Sequence, residues 1–194
     1  METINIMLGG VGGQGLVLTT DVICKAALKA GYNVKSNDVI GLAQRGGMVW
    51  GSVRIGKEVH SPNIPVGKTD ILLGLEPLEA QRWEHLINKD TKLIVNTREI
   101  HPTPSLLEKK EYPKDEIADL FERYESYISN FSADAKKFGN IKAANTVLLG
   151  VMAQFLPIST DIWKETLREN VPEKAIEVNM KAFDYGYENF KPKS

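Results

Sequence analysis

The sequence predicts an α/β fold: a mostly parallel sheet with helices on both faces, one β-hairpin and a helical C-terminal segment. Three observations carry that prediction. A short apolar run, Ile4-Asn5-Ile6-Met7-Leu8, leads through Gly9-Gly10-Val11-Gly12-Gly13-Gln14-Gly15 straight into a helical pattern. Further apolar runs then alternate with helical stretches, as parallel strands joined by helical crossovers do. From about residue 143 onward the periodicity is helical throughout.

The first unit is strand, glycine loop, helix. Residues 3–9 read as a buried strand and 14–30 as a helix. Gly10, Gly12 and Gly15 match G-x-G-x-x-G in the context that spacing requires, which makes the fold Rossmann-like. The glycines allow a tight turn and close backbone approach, and free N–H groups at the helix start suit a phosphate or carboxylate. Asp21, Lys25 and Lys29 step by four along the polar face of the helix, and Gly31 ends it.

Residues 33–36 read as a second strand, followed by the loop Gly41-Leu42-Ala43-Gln44-Arg45-Gly46-Gly47. Met48 to Ile55 alternates as a strand does, turns at Gly56-Lys57 and returns through Glu58-Val59-His60, a hairpin pattern. Ile71 to Leu75 is a buried strand. Pro77 opens a helix to about Ile87, and Leu93 to Asn96 forms another strand. Residues 114–124 read as a helix and 127–131 as a short strand; helices follow over 143–156, 160–169 and 173–190. With no repeat or linker, residues 1–194 are expected to form one domain, an α/β core over 1–142 with a helical tail, 143–194, packed on it.

The chain has 194 residues, a net charge of −1 and one cysteine, Cys24. The charge argues against nucleic acid or an anionic membrane surface as the main partner. A lone cysteine forms no internal disulfide and holds no iron–sulfur cluster. The first residues lack a basic region and a long apolar run, so a cytoplasmic location is expected.

Candidate chemistry is sparse. Nicotinamide sites carry an acid at the end of the second strand, but Ser36 and Asn37 stand there, with Asp38 slightly late. Gly67-Lys68-Thr69 resembles the end of a P-loop, but Pro62 replaces the required glycine and a strand follows. His60, His85 and His101 have no ligand spacing, and there is no G-x-S-x-G elbow. Arg45 offers a fixed cation with forked donors, suited to carboxylate or phosphate, and the next two residues are glycines. A ligand-shaped loop without catalytic machinery points to a chain that completes another subunit's active site.

Three motifs in fixed order, Gly10-Val11-Gly12-Gly13-Gln14-Gly15, Gly41-Leu42-Ala43-Gln44-Arg45-Gly46-Gly47 and Ile71-Leu72-Leu73-Gly74-Leu75-Glu76-Pro77-Leu78-Glu79-Ala80, resemble the gamma-type domain of 2-oxoacid:ferredoxin oxidoreductases. Within that family the likeness is nearest to the small (beta) subunits of the indolepyruvate branch. Ser61-Pro62, Asn96-Thr97 and Ala144-Asn145 add to it, and it spans nearly the whole chain. The resemblance implies an accessory subunit of an enzyme that oxidatively decarboxylates 2-oxoacids with coenzyme A as co-substrate. Thiamine diphosphate and iron–sulfur clusters are then expected on the catalytic alpha subunit, none on this chain, with ferredoxin engaged through the complex. It also implies that Gly12, Gly13, Gln14 and Gly15 face ligand or partner, with Gln44, Arg45, Gly46 and Gly47 nearby. Ile40 and Met48 depart from the histidine and small hydroxyl residue usual there, which leaves the particular 2-oxoacid open. Two alternatives remain: a free-standing Rossmann protein that binds a nicotinamide or flavin nucleotide, and an assembly module whose glycine loop is only a turn.

Overall fold

The computed structural model describes residues 2–40, 46–100 and 111–192. Six strands form one sheet: β1 (Ile4–Val11), β2 (Asn33–Ile40), β3 (Met48–Gly56), β4 (Thr69–Gly74), β5 (Ile87–Asn96) and β6 (Glu125–Ser129), in the order β2-β3-β1-β4-β5-β6. Strands β1, β4, β5 and β6 are parallel neighbours; β3 runs antiparallel between β1 and β2. Among the described residues seven α-helices surround the sheet: α1 (Leu16–Lys29), α2 (Pro77–Gln81), α3 (Lys114–Arg123), α4 (Phe131–Lys137), α5 (Ala144–Ala153), α6 (Thr160–Asn170) and α7 (Ile176–Asn189).

The expected α/β architecture is present, with local differences; the helix expected from Pro77 to about Ile87 stops at Gln81, a 3₁₀ turn over Glu84–Leu86 follows, and Ile87 begins β5. The hairpin is made by β2 and β3, not by β3 and residues 58–60. After Gly56 the chain returns as irregular backbone. Arg54 donates to the carbonyls of Ser61 and Asn63, and Ser52 to that of Pro62, so side chains replace a ladder next to Pro62 and Pro65, which hinder one. β5 starts six residues before Leu93, across the polar stretch Asn88 to Lys92. Asn88 and Thr91 secure it by donating to the carbonyl of Thr69, where the register shifts. The strand expected over 127–131 stops at Ser129, because Asn130 accepts the Ala133 N–H and caps a short helix, α4.

The two faces bury different sets. On one face Ile6, Leu8, Ile23, Ala27 and Val53 meet Val147, Leu148, Trp163 and Phe183 of the C-terminal helices. On the other, Met7, Leu72, Leu93 and Val95 meet Ala80 and Leu120, flanked by Trp50 and Trp83. The expected polar stripe of α1 docks α6: Lys29 pairs with Glu165 and Glu169, each at 2.7 Å. The aromatic side chains of the helical tail pack inward. Trp163 and Phe183 are fully buried, and Phe190 packs on Phe131.

Missing side chains set two close approaches. Gly9 and Gly74 are register partners on β1 and β4, and a Cβ on either would lie 2.6 Å from an atom of α2, the Glu79 carbonyl oxygen or the Ala80 Cβ. A Cβ on Gly150 would lie 2.2 Å from the Phe183 carbonyl oxygen, and one on Gly186 2.1 Å from that of Val147, so α5 and α7 touch backbone to backbone. Gly186→Ala is therefore expected to destabilise the chain by about 1–3 kcal/mol, despite alanine's higher helix propensity. Urea unfolding measures this, and an unchanged or raised midpoint would contradict the packing.

Candidate functional site

The site is built where the parallel strands end. The connection from β1 runs through α1 to β2 on one side, while β4 lies on the other, so the strand order reverses at the carboxyl ends of β1 and β4. Open α/β sheets bind ligands at such a switch point. Here Gln14 spans it. Its Oε1 accepts the Val11 N–H at 2.7 Å and its Nε2 donates to the Leu75 carbonyl at 2.8 Å. The Leu75 N–H donates in turn to the Gly9 carbonyl at 2.8 Å. The glutamine side chain is thus engaged inward with the chain's own backbone, and the loop shows its backbone outward.

That backbone has the geometry glycines permit. Gly13 (φ +98°) and Gly15 (φ +81°) occupy the left-handed region, and nothing lies within 4 Å of a Cβ built on Gly13. Gly15 caps α1 without a side-chain hydrogen bond. The first turn of a long helix therefore presents uncapped N–H groups beside exposed glycines, which favours an anionic group. Asn145 supports the loop from behind: its Nδ2 donates to the Gln14 carbonyl at 2.8 Å and to Thr19 Oγ1 at 3.0 Å.

The structure brings the two glycine loops together. The Gly12 N–H donates to the Gly47 carbonyl at 2.7 Å, and the Gly46 N–H to the Gly12 carbonyl at 3.4 Å. Of the residues singled out in the sequence, Gly10, Gly12, Gly13, Gln14, Gly15, Gly46 and Gly47 gather at this end of the sheet; Gln44 and Arg45 lie outside the described residues.

The third motif adds two buried carboxyls. Glu76 is fully buried and caps α2, accepting the Glu79 N–H at 3.0 Å; Pro77 follows as the first helical residue. It also accepts the Tyr112 hydroxyl at 2.6 Å and the Ile100 N–H at 3.3 Å, which fastens the chain leaving β5 and the chain entering α3 to one group. Glu79, also fully buried, pairs through Oε1 with Arg82 at 3.2 Å, while Oε2 has no hydrogen-bond partner. Among the described residues, no three His, Cys, Asp or Glu side chains are grouped to hold a metal ion. Among the described residues no helix is long and apolar enough to cross a membrane.

The family model described as pyruvate ferredoxin/flavodoxin oxidoreductase matches residues 5–189. The chain belongs to this family. It is 40% identical to the indolepyruvate oxidoreductase subunit IorB of Pyrococcus horikoshii over 96% of this chain and 95% of that one. It is 38% identical to the subunit of the same name from Archaeoglobus fulgidus over 95% and 94%. Among solved structures, the gamma subunit of a keto/oxoacid ferredoxin oxidoreductase from Geobacter sulfurreducens superposes with a TM-score of 0.71 at 26% identity, covering 95% of this chain and 96% of that one. The 2-oxoglutarate:ferredoxin oxidoreductase of Magnetococcus marinus shares the fold with a TM-score of 0.73 at 21% identity; the match covers 96% of this chain and 30% of that longer one.

Within this pyruvate ferredoxin/flavodoxin oxidoreductase fold, sequence reasoning missed the roles of Glu76, Glu79 and Tyr112. The signal for Glu76 was present: Glu76-Pro77-Leu78-Glu79 has the spacing of a helix cap with proline at the first helical position. Nothing local marks Tyr112, whose partner lies 36 residues away.

Burial pushes the Glu79 carboxyl up to about 7 and the nearby Glu76 adds to this, while Arg82 opposes it. Between its ordinary value of 4.5 and about 7, the folded chain holds this proton and the unfolded chain does not. The stability it contributes is full below the unfolded value and is lost as pH rises through the folded one. Glu79→Gln is thus expected to match the parent at pH 4 and to exceed it by up to about 3 kcal/mol at pH 8. Urea unfolding at both values checks this, and equal stability at pH 8 would contradict it.

Proposed function

We propose that the chain is the non-catalytic accessory subunit of a heteromeric indolepyruvate, or aryl 2-oxoacid, ferredoxin oxidoreductase of the cytoplasm. It completes the coenzyme A and active-site region of a catalytic alpha subunit, which carries thiamine diphosphate and the iron–sulfur clusters and passes electrons to ferredoxin. The observation that carries the reading is the joining of Gly12 to Gly46 and Gly47 beside an uncapped, glycine-lined helix start. Among the described residues this surface offers backbone donors and no nucleophile or base, which supports a binding and positioning role. A negatively charged part of coenzyme A suits the first turn of α1, where Gly13 and Gly15 leave the backbone open. The near full-length likeness to subunits named for indolepyruvate oxidoreductase supports the substrate class. Residues 1–194 act as one unit in this reading, the helical tail packing on the α/β core.

The purified chain alone is expected to show no turnover with aryl pyruvates, coenzyme A, thiamine diphosphate and a viologen acceptor. Addition of the alpha subunit should restore coenzyme A-dependent viologen reduction. Turnover by the chain alone, or an alpha subunit indifferent to it, would overturn the proposal.

Gln44 and Arg45 belong to the same surface on sequence grounds. In the assembled enzyme, Arg45→Ala is expected to lower kcat/KM for coenzyme A or the 2-oxoacid about ten- to a hundredfold, the loss of one charge-assisted hydrogen bond. Arg45→Lys should recover only part of it, because a point charge lacks the guanidinium fork. Steady-state kinetics in both substrates measure the effect, and parental values for the alanine variant would remove Arg45 from the site.

A further inference from the structure

Strand β2 ends the sheet, and its inner edge pairs with β3 at eight consecutive positions, Asn33↔Gly56 to Ile40↔Val49. The register has no shift and the strand contains no proline. Among the described residues no strand pairs with its outer edge. Its N–H and C=O groups there stand at regular spacing, a template for another strand that proteins normally blunt with bulges, prolines, very short edges or charges; of these β2 carries only the charges of Lys35 and Asp38. The opposite edge, β6, has five residues, Glu125–Ser129.

A second feature lies beside this edge. A cleft of about 570 Å³ opens between α1 and β2, lined by Val17 and Leu18 at the start of α1, Cys24 further along, and Ser36 and Asp38 on the strand. Val17 and Leu18 are each 47% exposed. Asp38 Oδ1 is shut off from solvent and has no hydrogen-bond partner. A Cβ on Gly51 would lie 2.4 Å from that oxygen, so a bare backbone makes its seat. Burial pushes the Asp38 carboxyl above its ordinary value, and the Thr20 hydroxyl beside it opposes this while donating to the Leu16 carbonyl. Nearby cations are engaged or misplaced. Lys25 bonds Asp21 and Asn170. Lys35, three residues before Asp38 on the strand, faces the other side of the sheet. A buried acceptor without a donor is costly, and this one sits beside a row of unpaired backbone groups.

We propose that β2 is a docking edge, where an extended segment of the alpha subunit adds a strand to the sheet and sets a lysine, arginine or hydroxyl side chain against Asp38. The inference rests on the accessory-subunit reading and goes beyond it by naming the edge and the kind of segment. Backbone pairing supplies affinity, as in other strand additions. Asp38, Val17 and Leu18 supply selection, an acceptor next to an apolar rest.

Hydrogen exchange read by mass spectrometry tests this on the free chain and on the complex with the alpha subunit. Exchange across residues 33–40 is expected to slow at least tenfold on assembly. Asp38→Asn keeps the shape but removes the charge, and should weaken the complex at least tenfold while leaving the melting temperature of the free chain within a few degrees. An active complex in which 33–40 exchange at the free-chain rate overturns the docking edge and leaves the accessory role standing. Concentration-dependent protection of 33–40 in the free chain also overturns it, in favour of a second copy on that edge. Failure of any complex to form overturns both readings.

Discussion

The amide of Gln14 holds the working end of this molecule together. One side chain bonds the last residue of β1 through its oxygen and the residue after β4 through its nitrogen. The strands it joins are those between which the chain changes direction, where an open α/β sheet would otherwise gape. With the crevice closed by a glutamine of the glycine loop itself, that loop cannot use its side chain on a ligand. In the proposed role, recognition would fall to backbone N–H groups at the start of α1 and to the second glycine loop, whose Gly46 and Gly47 join Gly12. Among the described residues this surface is backbone and glycine, which suits the proposed subunit that positions chemistry done elsewhere.

The opposite face depends on the same junction. Glu76 follows Leu75, the acceptor of the Gln14 amide, and gathers the start of α2, the chain leaving β5 at Ile100 and Tyr112 before α3 onto one carboxyl group. Helix α2 can sit that low only because Gly9 and Gly74 lack side chains beneath it. Burial pushes the Glu76 carboxyl above its ordinary value while the Tyr112 hydroxyl and the backbone N–H groups it accepts oppose this, and beside it stands a second buried acid, Glu79, pushed up to about 7. The arrangement places two buried carboxyls side by side, Glu76 held by Tyr112 and backbone N–H groups and Glu79 by Arg82.

The sequence was legible where the physics is local. The run Asn5 to Leu8 is buried and the glycines at 12, 13 and 15 turn, as expected; the polar step of Asp21, Lys25 and Lys29 is there too, but it meets the polar face of α6. The elements that shifted were governed by distant partners. Nothing in Glu58-Val59-His60 reveals that Arg54 and Ser52 pin the following segment by its carbonyls, so β3 takes β2 as its hairpin mate. Polar residues 88–92 read as loop until Asn88 and Thr91 find the carbonyl of Thr69. The glycines that meet at the carboxyl end of the sheet were legible as motifs, whereas Asp38 was legible only as an acid arriving late for a nicotinamide site. That Asp38 lies over Gly51 against α1 follows from β3 entering the sheet between β1 and β2, a pairing no spacing rule specifies.

The most direct measurement concerns Gln14 in the assembled enzyme. Gln14→Glu preserves size and the acceptor for Val11 but turns the donor to Leu75 into a second acceptor. If the bridged switch point organises the coenzyme A surface, the variant should fold and still bind the alpha subunit. Its apparent KM for coenzyme A should rise at least tenfold, the equivalent of about 1.4 kcal/mol. A variant that assembles and shows the parent's coenzyme A kinetics would contradict the account, because the glycine surface would then serve without the bond that holds it.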